Sequence, residues 1–467
     1  MDVASAFRRF WKANGVEPRG SDVRSEILRL MWPAMIEMIL LQAVQVINMM
    51  MVGRLGPVAV AAVGVTNQPI FMALSVFVAL NVGTTALVAR YIGAGDFKAA
   101  KEVARQSMIV TAILGILVSL LGYLLAGYAM IMMGAGPDVV ETGIRYFRLI
   151  SISLLFGTLA TCASSIFRGA GDTRIPMIVN IATNVMVVIL NSIFIYGRLG
   201  IPPMGVIGSG VSTILARVFG ACLFILALHD RRAILRVPLK PPFRLSRKVL
   251  GPMLYIGFPS AAEQFFLQTG LILFARIITG LGTVTFAAHQ IAANIHGMSF
   301  TPGQAFAIAC VTLVGQNLGA GRPDRAEVSA CEARRLGLYF SSFMGLVFFF
   351  GSEHLATLYT TDDKVIKLTS QVLKIIAFFQ PIQSSQFIIA GGLRGAGDTK
   401  IPLYSTAVSV WLIRLTAAYG LVYGVGLGLA GAWLAFGIDQ TFRWLFITLR
   451  FKTGKWKNSV MVCREAI

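Results

Sequence analysis

Long uninterrupted apolar blocks constrain the fold of this chain more than any other feature. Residues 27–52 and 103–133, for example, each exceed the ~20 apolar residues that cross the hydrocarbon core of a bilayer. Backbone polar groups in lipid must be satisfied internally, so each block is predicted to be an α-helix and not a set of alternating barrel strands. Such blocks lie near residues 27–52, 58–82, 103–133, 146–167, 176–196, 205–228, 249–280, 284–313, 335–358, 371–391, 402–424 and 428–450. We therefore expect an all-α polytopic membrane protein with twelve transmembrane helices.

The distribution of charge predicts how the helices are oriented. Only 13% of residues are charged, against about 25% in soluble domains, although the formal net charge is +20. If the chain starts in the cytoplasm, most of the 41 Lys and Arg fall in loops on that side. The positive-inside rule then places both termini in the cytoplasm of a multi-pass protein of the plasma (bacterial inner) membrane. The basic charge is thus explained by topology and anionic lipid, and no nucleic-acid partner is expected.

The remaining composition points away from an enzyme. The five cysteines are odd in number and show no CxxC spacing, so neither a disulfide framework nor a metal site is predicted from them. We find no phosphate-binding GxxxxGK[ST], no zinc-binding HExxH and no GxSxG with partners. We expect no cofactor and no catalytic site, and the expected partners are a small-molecule substrate and the lipid bilayer, with the protein acting as a monomer.

An internal repeat runs through most of the sequence. Residues 226 apart match in several separated segments, beginning with Pro33 and Glu37, which recur as Pro259 and Glu263. The longest match is the run RGAGDT at 168–173, which is repeated letter for letter at 394–399. One constant offset over separated segments indicates a duplication.

Each copy holds six predicted helices, an even number, so both copies enter the membrane from the same side. They are predicted to be parallel repeats related by a pseudo-twofold axis along the membrane normal, an arrangement in which transporters place substrate between two moving halves. The predicted ranges are a cytoplasmic N-terminal segment 1–26, an N-lobe 27–228, a cytoplasmic linker 229–248, a C-lobe 249–450 and a cytoplasmic tail 451–467.

The sequence resembles the multidrug and toxic compound extrusion (MATE) family, and most closely its bacterial members. The resemblance covers nearly the whole chain and is carried by PAMIE at 33–37, VGRLG at 52–56, both RGAGDT runs, LVGQNLGAG at 313–321 and RFKTGKW at 450–456. It implies a two-lobe antiporter that expels cationic, amphiphilic compounds in exchange for H⁺ or Na⁺. Many members carry an aspartate where this chain has Asn48, and some carry another where it has Asn191, so coupling through those two carboxylates does not transfer.

Two other functions fit parts of the pattern. A lipid-linked precursor flippase of the same wider superfamily would need a larger basic cavity and a lipid-facing groove, and the few intramembrane arginines argue mildly against it. A channel would conduct ions without countertransport, and the duplication into two lobes disfavours that behaviour.

Three acidic residues lie within predicted helices, where a charge is costly and usually functional. Glu37 lies about ten residues into the first predicted helix and Glu263 has the equivalent place in the seventh, with Asp439 in the twelfth. Burial raises the proton affinity of a carboxylate, so all three are candidates for H⁺ coupling, and Glu263 is also a candidate for Na⁺. The alternative is structural: each glutamate caps backbone groups freed by the preceding proline or pairs with an arginine of its lobe, and Asp439 pairs with Arg414 and Arg443.

Amide side chains form the candidate lining of a substrate cavity. Asn180, Asn184 and Asn191 fall within ~40° of one another on the fifth predicted helix. The full set of candidates is Asn48, Asn180, Asn184, Asn191, Gln264, Gln268, Gln290, Asn294 and Gln383. The same groups would equally suit hydrogen bonds between helices. The RGAGDT runs are predicted to be turns, with Asp172 and Asp398 capping the helices that follow.

Overall fold

A computed structural model describes residues 20–133, 136–198, 200–230, 234–237 and 245–458. Parts of the predicted N-terminal segment, linker and tail lie outside these ranges. Within them the chain forms helices and no strands. Twelve long helices follow one another as α1 Gly20–Gly53, α2 Pro57–Gly93, α3 Phe97–Leu124, α4 Pro137–Ala170, α5 Arg174–Phe194, α6 Gly205–His229, α7 Arg247–Thr279, α8 Thr283–Gly319, α9 Pro323–Thr357, α10 Asp363–Gly395, α11 Lys400–Gly424 and α12 Gly428–Lys452. A short helix, Ala126–Met132, separates α3 from α4, and a 3₁₀ turn, Lys455–Asn458, follows α12.

The long helices confirm the predicted all-α membrane fold. Eleven of the described helices are long and apolar enough to cross a bilayer. The exception is α12, whose centre carries Asp439, Gln440 and Arg443. These residues lower its hydropathy, while its 25 residues still suffice for a crossing of about 20 residues.

The helix boundaries follow from glycine, proline and short polar side chains. Gly56 and Gly282 have φ values of 102° and 99°, a backbone region that favours glycine, and each precedes a new helix. Asp96 caps α3 by accepting a hydrogen bond from the Ala99 amide at 2.9 Å. Within α11 the segments Ser409–Arg414 and Gly420–Gly424 are π-helical, a local widening that is frequent at functional sites.

Contacts divide the chain into two units. The first turns of α1 are grouped with the second unit and the first turns of α7 with the first unit, so the two units exchange these turns. One unit holds Ile36–Leu254, and the other holds Tyr255 onward together with the described part of α1 before Ile36. In the first unit the Met253 sulfur lies 3.2 Å from Ser107 Oγ and 3.8 Å from Thr84 Oγ1. In the second unit Ile27, which precedes Met253 by 226 residues, is fully buried in the equivalent core. The predicted boundaries at 27 and 249 did not include this exchange.

Candidate functional site

Both RGAGDT runs form the same turn. Gly171 and Gly397 have φ values of 88° and 86°, and the amides of Asp172 and Asp398 bond back to carbonyls five residues earlier, at 2.9 and 2.8 Å. This is the glycine-terminated helix end that the sequence predicted. Asp172 also caps α5, because its Oδ1 accepts from the backbone amides of Arg174 and Ile175 at 3.0 and 3.2 Å. Asp398 does not follow the prediction: its Oδ2 instead accepts from Arg450 Nε at 2.8 Å.

The turn of the N-lobe holds an arginine against Glu37. Arg168 Nη2 donates to Glu37 Oε1 at 2.6 Å, and Asn180 Nδ2 donates to the same oxygen at 2.7 Å. The Glu37 side chain is 3% exposed, whereas that of Arg168 is 22% exposed. Glu37 Oε2 is buried and has no hydrogen-bond partner. The carboxylate is therefore held on one oxygen only.

The C-lobe repeats this arrangement around Glu263. Arg394 Nη2 lies 2.8 Å from both carboxylate oxygens, and Thr406 Oγ1 donates to Oε1 at 3.2 Å. Thr406 is the repeat equivalent of Asn180, since the two positions are 226 apart. Glu263 is therefore contacted on both oxygens.

The two glutamates lie near the middle of their helices, whereas the arginines that contact them lie at helix ends. α1 begins at Gly20, so Glu37 is seventeen residues into its helix and not about ten. Arg168 is two residues before the last residue of α4, and Arg394 is one residue before the last residue of α10. The glutamates thus sit beside the turns that supply their arginines.

Asp439 lies in a separate, fully buried cluster. Its Oδ2 accepts from the guanidinium groups of Arg414 and Arg443, with the Arg443 Nη2 contact at 2.6 Å, and its Oδ1 accepts from Ser409 and from Arg443 Nε at 3.0 Å. The three charged residues are at most 2% exposed. The predicted contact of Asp439 with Arg414 and Arg443 is confirmed, and the cluster carries one more positive than negative charge.

The amide stripe of α5 bonds to α1 at two levels. Asn180 contacts Glu37, and eleven residues later Asn191 Nδ2 donates to Asn48 Oδ1 at 2.8 Å. Asn48 Oδ1 also lies 3.4 Å from Ser209 Oγ of α6. Asn184, between the two levels, has a buried Nδ2 without a hydrogen-bond partner.

The C-lobe candidates are not gathered into one group. Gln383 is buried and lies 2.8 Å from His296 Nε2 of α8. Asn294 is exposed and bonds to the Gln290 carbonyl of its own helix at 2.9 Å. Gln264 and Gln268 are half-buried on α7.

Sequence reasoning did not single out Arg168, Arg394 and Thr406. A usable signal was present for the arginines, because both belong to the longest repeated run. Their direction toward the glutamates depends on how α4 and α10 pack, which the sequence does not state.

Comparisons with known proteins identify the family of this chain. A single family model, MatE, matches residues 33–193 and again residues 259–420. The chain belongs to the MATE family. The two matches start 226 residues apart (259 − 33), which confirms the duplication.

Curated relatives of this MATE chain are named as multidrug resistance proteins. A protein of Thermotoga maritima named "Probable multidrug resistance protein NorM" is 32% identical over 447 residues, or 96% of both chains. "Multidrug resistance protein PmpM" of Pseudomonas aeruginosa is 28% identical over 86% of this chain and 85% of that protein.

Solved structures show the same fold. A MOP superfamily transporter from Pyrococcus furiosus superimposes with a TM-score of 0.86 at 24% identity, covering 93% of this chain and 97% of that one. A structure of MATE in complex with MaL6 gives the same values. These neighbours have twelve helices in two lobes, as this chain has.

Proposed function

We propose that this protein is a secondary active exporter that moves small organic, cationic amphiphilic compounds out of the cell in exchange for protons. It would act as a monomer in the plasma membrane, with both termini in the cytoplasm. The observation that carries the proposal is the pair of equivalent buried glutamates, Glu37 and Glu263, each held by an arginine of the repeated turn.

The N-lobe glutamate is the better placed proton acceptor. An ionised carboxylate oxygen that is buried without a hydrogen-bond donor is costly, and Glu37 Oε2 is in that position. A proton on Oε2 would remove this cost while Oε1 keeps the Asn180 amide. Neutralising Glu37 would also remove the counter-charge of Arg168, whose side chain is 22% exposed, and so change the charge of this site during the cycle.

The contacts of Glu263 support H⁺ over Na⁺ as the coupling ion. Sodium binds through several oxygen atoms, and Glu263 and Thr406 supply three. Arg394, however, contacts both carboxylate oxygens, so a sodium ion would have to displace a guanidinium group. A proton needs only one oxygen.

Other candidate residues are assigned by their contacts. We propose that Asn184, Gln264 and Gln268, whose side chains form no hydrogen bond to another helix in the described part of the chain, line the substrate path. Asn48, Asn180, Asn191 and Gln383 bond between helices, and Gln290 and Asn294 lie on the exposed face of α8. Asp439 is held by two guanidinium groups, which supports a structural role over coupling.

The decisive experiment is transport of a cationic dye in proteoliposomes, with pH and sodium gradients imposed separately. We expect a pH gradient to drive transport and a sodium gradient to have little effect. One proton moving down ~150 mV supplies roughly 3.4 kcal/mol, enough for a few-hundredfold gradient of a neutral compound. A cation would need a larger driving force.

The variants Glu37→Gln and Glu263→Gln should each lower proton-driven transport at least tenfold, because an amide cannot exchange a proton. Glu141→Gln is the control, since Glu141 is an exposed partner of Arg145 near the start of α4. Wild-type transport by both Glu→Gln variants would refute the proposal.

A further inference from the structure

Arg217 places a positive charge at half-height in the N-lobe. It lies twelve residues after the start of α6 and twelve before its end. Its Nη1 donates to Ser153 Oγ at 2.9 Å, and Ser153 is at the middle of the 34 residues of α4. Two helices therefore independently put this guanidinium near the middle of the membrane.

The side chain points into the lobe and not toward lipid. At 100° per residue Arg217 lies about 20° from the buried Phe224 and about 160–180° from the exposed Leu215 and Leu226. Gly157 of α4 leaves room for it, since a Cβ there would lie 3.2 Å from Arg217 Cδ and Nη1. The residue itself is half-buried, so part of it stays accessible.

No carboxylate of the described part of the chain pairs with Arg217. Its hydrogen bond within the described part of the chain goes to a neutral group, the Ser153 hydroxyl. The mid-helix carboxylate of this lobe, Glu37, is bonded to Arg168, which is fifteen residues from Ser153 along α4. That spacing corresponds to about 22 Å. Ionisable residues inside membranes normally pair with one another, so an arginine without a counter-charge marks a functional position.

The duplicated lobe shows how the same part of the fold is arranged without an uncompensated charge. α6 and α12 both begin at glycines with positive φ, Gly205 at 57° and Gly428 at 53°, and both have 25 residues. Counted from these helix starts, which are 223 residues apart, the position of Arg217 corresponds to Gln440, which is neutral and 2% exposed. Counted with the 226-residue offset of the repeat, it corresponds to Arg443, which is paired with Asp439. By either count the C-lobe has no arginine without a counter-charge at this place.

We propose that Arg217 binds a carboxylate group of the transported compound. A guanidinium matches a carboxylate with two parallel hydrogen bonds, and the ligand would supply the missing counter-charge at the depth where transporters hold substrate. The preferred cargo would then be zwitterionic, with a carboxylate in addition to its cationic group. This identification of the cargo rests on the proposed export function.

Ligand binding can be measured independently of transport. The assay compares the melting temperature of the purified protein in neutral detergent with and without a ligand. Benzoate should raise this temperature for the wild type and benzamide, its neutral counterpart, should not, because only a ligand of the folded state stabilises it. The benzoate shift should disappear in Arg217→Gln and persist in Arg276→Gln, which changes an exposed arginine near the end of α7. No benzoate shift in the wild type, or an equal shift in Arg217→Gln, would overturn the proposal.

The variant Thr213→Asp tests whether Arg217 needs a counter-charge from a ligand or is already stabilised by the fold. Asp439 and Arg443 in α12 pair at a spacing of four residues, and Thr213 stands at that spacing before Arg217. An internal carboxylate there should raise the ligand-free melting temperature and abolish the benzoate shift. A benzoate shift that survives in a folded Thr213→Asp protein would contradict the proposal, and if this variant does not fold, Arg217→Gln decides.

A transport assay completes the test by comparing the export of two dyes. Rhodamine B carries a free carboxylate, and its ethyl ester does not. The wild type should prefer rhodamine B by about tenfold, the factor given by 1.4 kcal/mol of binding free energy, and Arg217→Gln should export the two dyes equally. Equal export by the wild type would overturn the assignment. Export of neither dye would count against the export function, while the benzoate measurement would still judge Arg217.

Discussion

Asp439 supplies the counter-charge for two buried arginines, so Asp439→Asn should destabilise the C-lobe strongly. The substitution keeps the size of the side chain and removes its charge, leaving Arg414 and Arg443 at 1% and 2% exposure with no carboxylate. Removing one partner of a buried ion pair typically costs about 3–5 kcal/mol. We expect a loss at the upper end of that range.

The repulsion between the two arginines explains this expectation. Both guanidinium groups contact the same Oδ2 atom, so they lie about 5 Å apart. Two like charges at about 5 Å repel by about 3 kcal/mol at an effective dielectric constant near 20. In the wild type the carboxylate between them cancels this term.

The assay is thermal unfolding in neutral detergent, followed by tryptophan fluorescence, with a triple variant as control. Asp439→Leu combined with Arg414→Met and Arg443→Met removes every charge of the cluster, and buried ion networks replaced by apolar residues of similar volume often keep their stability. The triple variant should regain most of the stability that Asp439→Asn loses. The reasoning is refuted if Asp439→Asn melts like the wild type, or if the triple variant is no more stable than Asp439→Asn.

Two further substitutions test the turns and the helix contacts. Asp172→Ala should cost about 1 kcal/mol, because it removes the cap of α5, and the measured loss of thermal stability should be small but reproducible. Gly395→Ala should be much worse, since its Cβ would lie 2.3 Å from the Val311 carbonyl oxygen. Gly351→Ala, with nothing within 4 Å, is the matched control, and equal stability of these two glycine variants would contradict the packing argument.

The fold was largely predictable because membrane helices are specified by local composition. Each apolar block can be recognised by length alone, and the 226-residue offset gave the two lobes without any knowledge of contacts. The exchange of first turns between the units was not predictable. It depends on which hydrophobic core Ile27 joins, a matter of long-range contacts that leave no periodic signal in the sequence.

The candidate site was predictable in its residues and less so in its geometry. A carboxylate within an apolar helix is rare because its insertion into the membrane costs free energy, so Glu37, Glu263 and Asp439 could be found from the sequence. For Asp439 the partners also followed, since Arg443 is one helical turn away. For Glu37 the partner, Arg168, is 131 residues distant, and only the packing of α4 against α1 brings it within 2.6 Å.

The differences between the two copies are more informative about function than their similarities. Arginine, glutamate and turn are the same in both lobes, so this part of the structure alone cannot give the lobes different roles. The two lobes differ in how the carboxylate oxygens are contacted. In the N-lobe Arg168 and Asn180 both donate to Oε1 of Glu37, and Oε2 has no donor. In the C-lobe Arg394 contacts both oxygens of Glu263. A proton can therefore bind Oε2 of Glu37 without displacing a hydrogen-bond donor, whereas at Glu263 it would compete with Arg394. We therefore expect Glu37→Gln to lower proton-driven transport more than Glu263→Gln does.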